Sequence, residues 1–252
     1  MSKVMTAAEL VAKAKDIALN RPSLYVMGAF GAPASDRSRA RYTASNAHEY
    51  NRRPANKAKI LAAADGTWFF DCVGLVKGLL WGWNGDTGAV YGGATYQANG
   101  VEDLSADGMI ARCSGVSKNF AGILPGEALW KSGHIGVYIG DGLAVECTPA
   151  WYNKVQITAV GNLGRVAGYN VRTWTKHGRL PWIDYSITTT PETVLPFVDV
   201  PRDAWYAEGV RWCYEHGLTA GVDPTHFGPD MPCTRAQMAV FLMKLGKAAG
   251  IK

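Results

Sequence analysis

The stretch WFFDCVGLVKGLLWGW, residues 68–83, places a cysteine between an aspartate and a long apolar run. The run predicts a buried helix that begins at Cys72, with Asp71 just before its first turn. There the sulfur faces the positive end of the helix dipole and unpaired backbone N–H groups, which favour a thiolate over a thiol. The position therefore suits a nucleophile, although a lone cysteine is more often a small buried hydrophobe.

The composition of the 252-residue chain is that of a folded globular protein, with 48% apolar and 19% charged residues. The length allows one large domain, or one domain of ordinary size plus a small one. The five cysteines are odd in number and contain no CxxC pair, so neither a disulfide framework, a metal site nor a cofactor is expected. The N-terminus shows no signal-peptide pattern, and we expect synthesis in the cytoplasm without a signal peptide.

The net charge of +5 is concentrated in one segment. Residues 36–59 carry seven Arg and Lys residues against one Asp and one Glu, and the rest of the chain sums to zero. Such a segment can follow an anionic polymer such as nucleic acid, teichoic acid or the carboxylates of peptidoglycan, or it can be a solvated loop. No nucleic-acid motif accompanies it, so nucleic acid is the least favoured of these partners.

A candidate base for the thiol lies in GHIGVYIGDGLAVECTP, residues 133–149. Two strand-like runs flank Gly-Asp-Gly, which predicts a β-hairpin. A two-residue turn would place His134 and Glu146 on opposite faces. We favour a three-residue loop with a bulge, which pairs Ile139 with Leu143 and puts both polar side chains on one face. In that register Glu146 can orient the His134 ring while the other ring nitrogen takes the thiol proton.

These two stretches together resemble the NlpC-type, papain-like cell-wall peptidases. The resemblance covers roughly residues 5–183, within a first domain over residues 1–183, and implies an α+β fold with helices packed on a small antiparallel sheet. Cys72 and His134 match the family's nucleophile and base, and Asp71 matches the aspartate beside the nucleophile, which we group with the substrate-binding residues. The third catalytic position holds a glutamate, Glu146, where the family more often carries His, Asn or Gln.

The same resemblance places further residues around the substrate. SLYVMGAFG, residues 23–31, resembles the family's Tyr-x-x-Gly-Gly segment and implies that Tyr25 lies near the nucleophile. The basic segment, taken as an insertion over residues 31–66, is expected to wall the cleft. Arg37 and Arg41 are its candidate contacts to substrate carboxylates.

The implied reaction is acyl transfer by a cysteine nucleophile on a peptidoglycan stem peptide. The family's typical bond joins D-glutamate to the diamino acid. An N-acetylmuramoyl-L-alanine amidase of the same architecture, a non-catalytic cell-wall binding protein and a thiol acyltransferase acting on lipid are the alternatives. Four aromatic residues either line the cleft or belong to the core: Trp81, Trp83, Trp130 and Trp151.

The chain changes character at residues 184–196, a Thr- and Pro-rich stretch that predicts a linker. Residues 197–252 follow with two blocks of helical periodicity and Thr234 as an N-cap, so we expect a small all-α module. Its motifs F-x-D-V, G-L-T-A-G, F-G-P and T-R-A-Q resemble the S-layer homology module, which implies binding to secondary cell-wall polysaccharide. Arg235 is the candidate partner of an acidic group. Trp205 stacks on a sugar or belongs to the core, and we favour the core.

Together these features predict a cell-wall hydrolase that carries its own wall anchor, similar to a phage endolysin. The expected partners are peptidoglycan and the wall polysaccharide, with no nucleic acid and no membrane. S-layer homology modules usually occur three to a chain, and a single module of about 50 residues buries little core by itself. We therefore expect either a homotrimer formed through the C-terminal module or docking of that module on the first domain.

Overall fold

The computed structural model describes residues 3–186, 195–201 and 204–248. The chain divides into two compact units, Met1–Ile187 and Thr188–Lys252. The linker predicted over residues 184–196 falls mostly outside the described ranges. No helix in the described part of the chain is long and apolar enough to cross a membrane.

Six α-helices are described in the first unit and two in the second. They are α1 (Ala7–Asn20), α2 (Asp36–Thr43), α3 (Glu49–Arg52), α4 (Pro54–Ala62), α5 (Cys72–Leu80), α6 (Ala106–Arg112), α7 (Ala207–Glu215) and α8 (Arg235–Ala248). Helix α1 begins at a reciprocal capping box between Thr6 and Glu9. Helix α5 begins where predicted, because the Asp71 carboxylate accepts the Gly74 N–H at 2.5 Å and caps its first turn.

Twelve strands form three sheets within the described residues. They are β1 (Met5–Thr6), β2 (Ser23–Tyr25), β3 (Phe30–Pro33), β4 (Trp68–Phe70), β5 (Ser114–Ser117), β6 (Ala128–Lys131), β7 (His134–Gly140), β8 (Leu143–Thr148), β9 (Lys154–Val160), β10 (Val171–Arg172), β11 (Lys176–Arg179) and β12 (Ile183–Asp184). The main sheet has the order β10-β9-β8-β7-β6-β11-β5 and is antiparallel except for the β9–β10 pair. Strands β2 and β3 flank β4, and β1 pairs with β12.

This arrangement confirms the α+β class, but the main sheet is larger than the small antiparallel sheet that we predicted. Seven strands take part because β9 and β10 extend the predicted hairpin on one side, and β6, β11 and β5 extend it on the other. The strands added at its ends are short: β10 has two residues, and β5 and β11 have four each. Their short runs give little periodicity from which a strand could be predicted.

The core of the first unit lies between α1, α5 and one face of the main sheet. Leucine and isoleucine side chains of both helices pack with Val137 and Val145, and all of them are buried. Each fully buried side chain of this kind stabilises the fold by roughly 1.5–3 kcal/mol. The opposite face of the sheet carries a second cluster that includes Tyr138, Ala144 and Trp174. Packing on the first face fixes α5 with its N-terminus beside β7.

The β7–β8 hairpin has a different turn from the one that we predicted. Gly140 pairs with Leu143 across the two-residue turn Asp141–Gly142, rather than Ile139 pairing with Leu143. The two turn residues have φ values of 52° and 71°, which fit the left-handed turns that match the twist of a hairpin. The predicted three-residue loop is therefore wrong.

A bulge in β7 nevertheless produces the predicted arrangement of the side chains. The register shifts at Ile139, so that Val137 pairs with Val145. The extra residue reverses the alternation that the two-residue turn alone would impose. His134 and Glu146 therefore share one face of the sheet, as predicted.

The basic insertion predicted over residues 31–66 is folded rather than a loop. It contains α2, α3 and α4 and most of β3. The buried Asn51 side chain accepts the Met27 N–H and donates to the Met27 carbonyl, both at 2.9 Å. This pair of hydrogen bonds fastens the insertion to the segment that follows Tyr25.

Candidate functional site

Cys72 is the first residue of α5 and lies against the start of β7. Its sulfur is 3.9 Å from the Gly133 carbonyl oxygen. Burial raises the pKa of the thiol to about 12, and the Asp71 carboxylate adds to the rise, while backbone N–H groups that include that of Ile135 oppose it. The resting thiol is therefore protonated. This is opposite to the thiolate expected from the helix dipole, because burial outweighs the N–H groups.

Cys72 is expected to react slowly with iodoacetamide in the folded chain. A pKa of about 12 leaves roughly 10³-fold less thiolate at neutral pH than the ordinary thiol pKa of about 8.5. The exposed Cys233 provides an internal comparison. Timed alkylation followed by peptide mass spectrometry is expected to label Cys233 long before Cys72. Faster labelling of Cys72 would show that its thiolate is stabilised.

His134 and Glu146 form a close polar pair on the sheet. His134 Nε2 lies 2.6 Å from Glu146 Oε2, and Glu146 is 0% exposed. The imidazole stacks on the indole of Trp174, with ring centroids 5.5 Å apart and planes at 8°. Because the carboxylate accepts from Nε2, the neutral ring keeps its basic nitrogen at Nδ1. Among the described residues, His134 makes no hydrogen bond to Cys72.

Three side chains donate to the buried Glu146 carboxylate. Besides His134, Thr158 Oγ1 donates to Oε1 at 2.7 Å, and Arg172 Nε lies 2.7 Å from Oε1 and 2.6 Å from Oε2. Burial by itself raises the pKa of Glu146. The hydrogen bonds and charges of His134 and Arg172 outweigh burial and hold the pKa below its ordinary value. The carboxylate is therefore ionised at neutral pH.

The contribution of Glu146 to stability is expected to be acid-sensitive. Its folded pKa lies below the unfolded value of about 4.3, so the contribution is complete above that value and is lost as the pH falls through the folded pKa. The difference in free energy of unfolding between wild type and Glu146→Gln should be largest near about pH 6 and should shrink below about pH 4. Denaturant unfolding followed by tryptophan fluorescence measures it. A difference that does not change with pH would contradict the paired carboxylate.

Tyr25 and Asp71 lie close to the nucleophile, but their polar groups are engaged differently. Tyr25 is buried in the same core cluster as Cys72, and burial raises the pKa of its hydroxyl. The Asp71 carboxylate accepts the Gly28 N–H at 2.7 Å and the Gly74 N–H at 2.5 Å. Asp71 therefore caps α5 and fixes the Gly28 loop through both of its oxygens.

Arg37 and Arg41 lie one turn apart on α2. They line a cavity of about 370 Å³, and Arg41 also lines a second cavity of about 450 Å³ that Asp71 and Lys77 border. The Arg41 guanidinium lies 5.3 Å from the centroid of the Tyr91 ring. Arg41 thus shares a cavity with the capping residue of α5, whereas Arg37 lines only the first cavity, and the lining of neither cavity includes Cys72.

Sequence patterns do not single out Arg172, Thr158 or Trp174, although all three support the His134–Glu146 pair. Arg172 and Trp174 occur in NVRTWTKHG, residues 170–178, where the apolar Val171 and Trp174 are three positions apart and give no strand alternation. No signal in this stretch relates Arg172 to a carboxylate 26 positions earlier. The relation arises because β10 pairs with β9 in parallel.

A second buried carboxylate–imidazole pair lies elsewhere in the main sheet. His177 Nδ1 contacts Glu127 Oε2, Arg179 Nε lies 3.2 Å from Glu127 Oε1, and His177 Nε2 lies 2.8 Å from the Asn119 carbonyl oxygen. Both nitrogens of this ring face acceptors. Both nitrogens of His177 are therefore engaged by groups of the protein, whereas for His134 the described hydrogen bond involves Nε2.

The sequence did not show whether four tryptophans belong to the core or line the cleft, and their burial in the structure distinguishes them. Trp81 and Trp83 are buried, and each indole N–H donates to a backbone carbonyl, so both belong to the core. Trp130 is partly buried and donates to the Asp107 carboxylate at 2.8 Å. Trp151 is 45% exposed.

The second unit brings several of the C-terminal motifs together. Asp199 of the F-x-D-V motif accepts the N–H groups of Phe227 and Gly228, which belong to F-G-P, both at 2.8 Å. Thr234 caps α8 as predicted: Gln237 N–H donates to Thr234 Oγ1 at 3.2 Å, and Thr234 N–H donates to Gln237 Oε1 at 2.8 Å. These motifs therefore hold the backbone of the unit in place.

The two predicted polysaccharide contacts are both at the surface. Arg235 is the exposed first residue of α8. Trp205 is 93% exposed, and its ring meets Tyr206 edge-on with centroids 5.6 Å apart. The core interpretation of Trp205 is therefore wrong. The core of this unit is formed instead by Phe197, Val200, Ala207 and Val210.

Comparison with known proteins identifies one part of the chain. Residues 196–239 match the S-layer homology domain. This confirms the predicted module over those residues and indicates association with the cell wall or cell surface. A 50-residue stretch is 46% identical to a protein of Thermoanaerobacter kivui described as a cell surface protein. It covers 20% of this chain and 7% of that protein, so the chain spans a small part of its relative's length.

Proposed function

We propose that this chain is a peptidoglycan hydrolase that cuts a stem-peptide amide bond with Cys72 as the nucleophile, between D-glutamate and the diamino acid. The observation that carries the proposal is the 2.6 Å contact between His134 and the buried Glu146, where His134 follows Gly133, whose carbonyl oxygen lies 3.9 Å from the Cys72 sulfur. A base held by an ionised carboxylate next to a thiol is the arrangement that acyl transfer requires. The fold that we propose for the unit is papain-like.

The first half of the proposed reaction acylates the sulfur. His134 Nδ1 removes the thiol proton, and the Cys72 sulfur forms a bond to the amide carbonyl carbon. Glu146 stabilises the imidazolium through Nε2. The tetrahedral intermediate then collapses, the C–N bond breaks, and Nδ1 returns the proton to the leaving amine. Because the resting thiol is protonated, transfer to His134 is part of the barrier rather than complete beforehand.

The second half of the proposed reaction releases the acid product. His134 Nδ1 takes a proton from water, the hydroxide attacks the thioester carbonyl, and the C–S bond breaks. The sulfur then takes the proton back from Nδ1. Backbone N–H groups at the start of α5 and that of Ile135 face the sulfur and are the candidate donors to the oxyanion.

A non-catalytic wall-binding protein is the second candidate, and a specific observation favours it. The thiol has a raised pKa and makes no hydrogen bond to His134 among the described residues. Mass spectrometry of purified peptidoglycan after incubation with the chain separates the candidates. New amine ends on the diamino acid support the endopeptidase, and free stem peptides beginning with L-alanine move the bond to the amidase position. No released fragment from several wall types supports the binding protein.

The basic α2 helix gives the proposed substrate a second point of contact. Arg37 and Arg41 line one cavity, Arg41 also lines the cavity that Asp71 borders, and stem peptides are rich in carboxylates. We propose that these arginines hold a carboxylate of the stem peptide away from the scissile bond.

The C-terminal module is proposed to bind secondary cell-wall polysaccharide, with Arg235 pairing with an acidic group and the exposed Trp205 stacking on a sugar ring.

We also propose that three chains associate through these modules. Helix α8 leaves a set of apolar side chains half-exposed that a partner could cover: Met238, Val240, Leu242 and Met243. Light scattering at micromolar concentration is expected to give three times the chain mass, and a monomer mass would remove the trimer.

A further inference from the structure

The turn between β8 and β9 presents two aromatic rings to solvent at the end of the sheet where His134 lies. Trp151 and Tyr152 are both exposed. Trp151 has a φ of 57° and Asn153 a φ of 54°, in the left-handed region that bulky side chains rarely adopt. A tryptophan held in this conformation and left half in water is a strained arrangement, and such strain is commonly kept where a side chain serves recognition.

Several hydrogen bonds fix the turn to the candidate site. The buried Gln156 amide donates to the carbonyls of Ala150 and Lys154 at 3.0 and 3.3 Å. The Asn153 carbonyl accepts the Tyr25 N–H at 3.0 Å. Tyr25 belongs to the same core cluster as Cys72, so this hydrogen bond joins the turn to the core that holds the nucleophile.

The Arg172 guanidinium connects Trp151 to the buried Glu146 carboxylate. It lies 4.8 Å from the Trp151 ring centroid, while its Nε bonds Glu146 and its second terminal nitrogen donates to Thr148 Oγ1 at 3.1 Å. One face of the indole is thus covered by a fixed cation, and the 45% exposure of Trp151 leaves the rest of the ring open. A second cation on the open face would meet the repulsion of Arg172.

We propose that the open face of Trp151 is a subsite for a sugar ring of the peptidoglycan glycan. The proposal rests on the proposed function and names the part of the substrate that this side of the site takes. The C–H groups of a pyranose carry slight positive charge without a net charge, so they pack on the negative face of an indole. The stem peptide is covalently attached to the glycan, and a sugar bound on Trp151 would therefore lie beside the peptide that Cys72 attacks.

Binding measurements with two soluble ligands test this subsite independently of catalysis. The ligands are a disaccharide-linked stem peptide and the same stem peptide without sugar, titrated calorimetrically into the full chain carrying Cys72→Ala. Trp151→Asn removes the ring while asparagine tolerates the left-handed backbone. It is expected to weaken binding of the disaccharide ligand by roughly tenfold and to leave the sugar-free peptide unchanged. Trp151→Tyr should retain most of the affinity, and the exposed Tyr169→Asn is the matched control.

The outcomes separate this subsite from the proposed reaction. Equal weakening of both ligands, no change with either ligand, or no binding of the disaccharide ligand to the Cys72→Ala chain overturns the subsite. If wild type hydrolyses the ligands but Trp151→Asn still binds the disaccharide ligand more tightly than the sugar-free peptide by the same factor, the proposed reaction is supported and the subsite is refuted. If wild type hydrolyses neither ligand while the tighter binding of the disaccharide ligand still requires Trp151, the subsite is supported and the proposed reaction is refuted.

Discussion

If the proposed stem-peptide cleavage takes place at Cys72, Glu146→Gln is expected to lower its kcat/KM by about 10³-fold or more. All three partners of the carboxylate donate to it: His134 Nε2, Thr158 Oγ1 and Arg172 Nε. A glutamine offers one acceptor oxygen and a new N–H₂ donor, so at least one donor loses its partner. If the amide donates to Nε2, the proton of the neutral ring moves to Nδ1, and the ring can no longer take the proton of the Cys72 thiol.

The matched control for this substitution is Glu127→Gln. Glu127 is also buried, contacts a histidine and an arginine, and directly precedes β6 of the same sheet. A loss of stability is therefore expected in both variants, whereas a loss of turnover per folded molecule is expected only for Glu146→Gln. Steady-state rates normalised to the folded fraction measure the contrast. Full turnover by Glu146→Gln, or an equal loss in both variants, would exclude Glu146 from the reaction.

Arg172→Met is expected to destabilise the first unit by about 3–5 kcal/mol. The Arg172 side chain is 13% exposed, and its loss leaves the buried, ionised Glu146 carboxylate with only the His134 and Thr158 donors and without its arginine. Removing one partner of a buried ion pair has this cost because the remaining charge stays desolvated and unpaired. The same substitution should raise the pKa of Glu146, since one of the groups that lower it is removed. Denaturant unfolding of the full chain gives the change in free energy.

The control for Arg172→Met is Arg179→Met on the second carboxylate. Arg179 is half-exposed and lies 3.2 Å from Glu127, so water screens the pair. Its loss is expected to cost about 0–1 kcal/mol. Arg172→Lys should recover part of the stability, because it restores the cation without the geometry of the guanidinium. Equal costs at the two arginines would show that Arg172 is not a buried partner of Glu146.

The hairpin shows how far a local pattern predicts this site. The alternation of apolar residues in residues 133–149 placed His134 and Glu146 on one face, and their 2.6 Å contact confirms it. The same pattern did not predict the turn, because two different backbones give the same alternation. A three-residue loop or a two-residue turn with a bulge at Ile139 both shift the register by one residue.

The surroundings of the pair could not be predicted from the sequence. Thr158 and Arg172 reach Glu146 from β9 and β10, and Arg172 sits in a strand of two residues. The protonation state of the Cys72 thiol could not be predicted either, because the helix-dipole argument considers only where the residue lies in the helix and not how deeply it is buried. Burial depends on the packing of α1, α5 and the sheet around the sulfur.

In the C-terminal module, the sequence motifs predicted the domain correctly, but helical periodicity did not predict the position of Trp205. F-x-D-V and F-G-P predicted the S-layer homology domain, and the Asp199 hydrogen bonds give the physical reason for their spacing. Periodicity nevertheless assigned Trp205 to the core, where the structure leaves it 93% exposed. Trp205 lies before the first residue of α7, so the helical period does not determine which way it faces.

Release of new amine ends from purified peptidoglycan by three forms of the chain tests the proposed thiol chemistry most directly. The forms are wild type, Cys72→Ala and Cys147→Ala, where Cys147 is a fully buried cysteine that donates to the Phe70 carbonyl at 3.2 Å. Circular dichroism verifies that all three are folded. Wild type and Cys147→Ala are expected to release amine ends, and Cys72→Ala is expected to release none. Release by Cys72→Ala at the rate of wild type would contradict a reaction at the Cys72 sulfur.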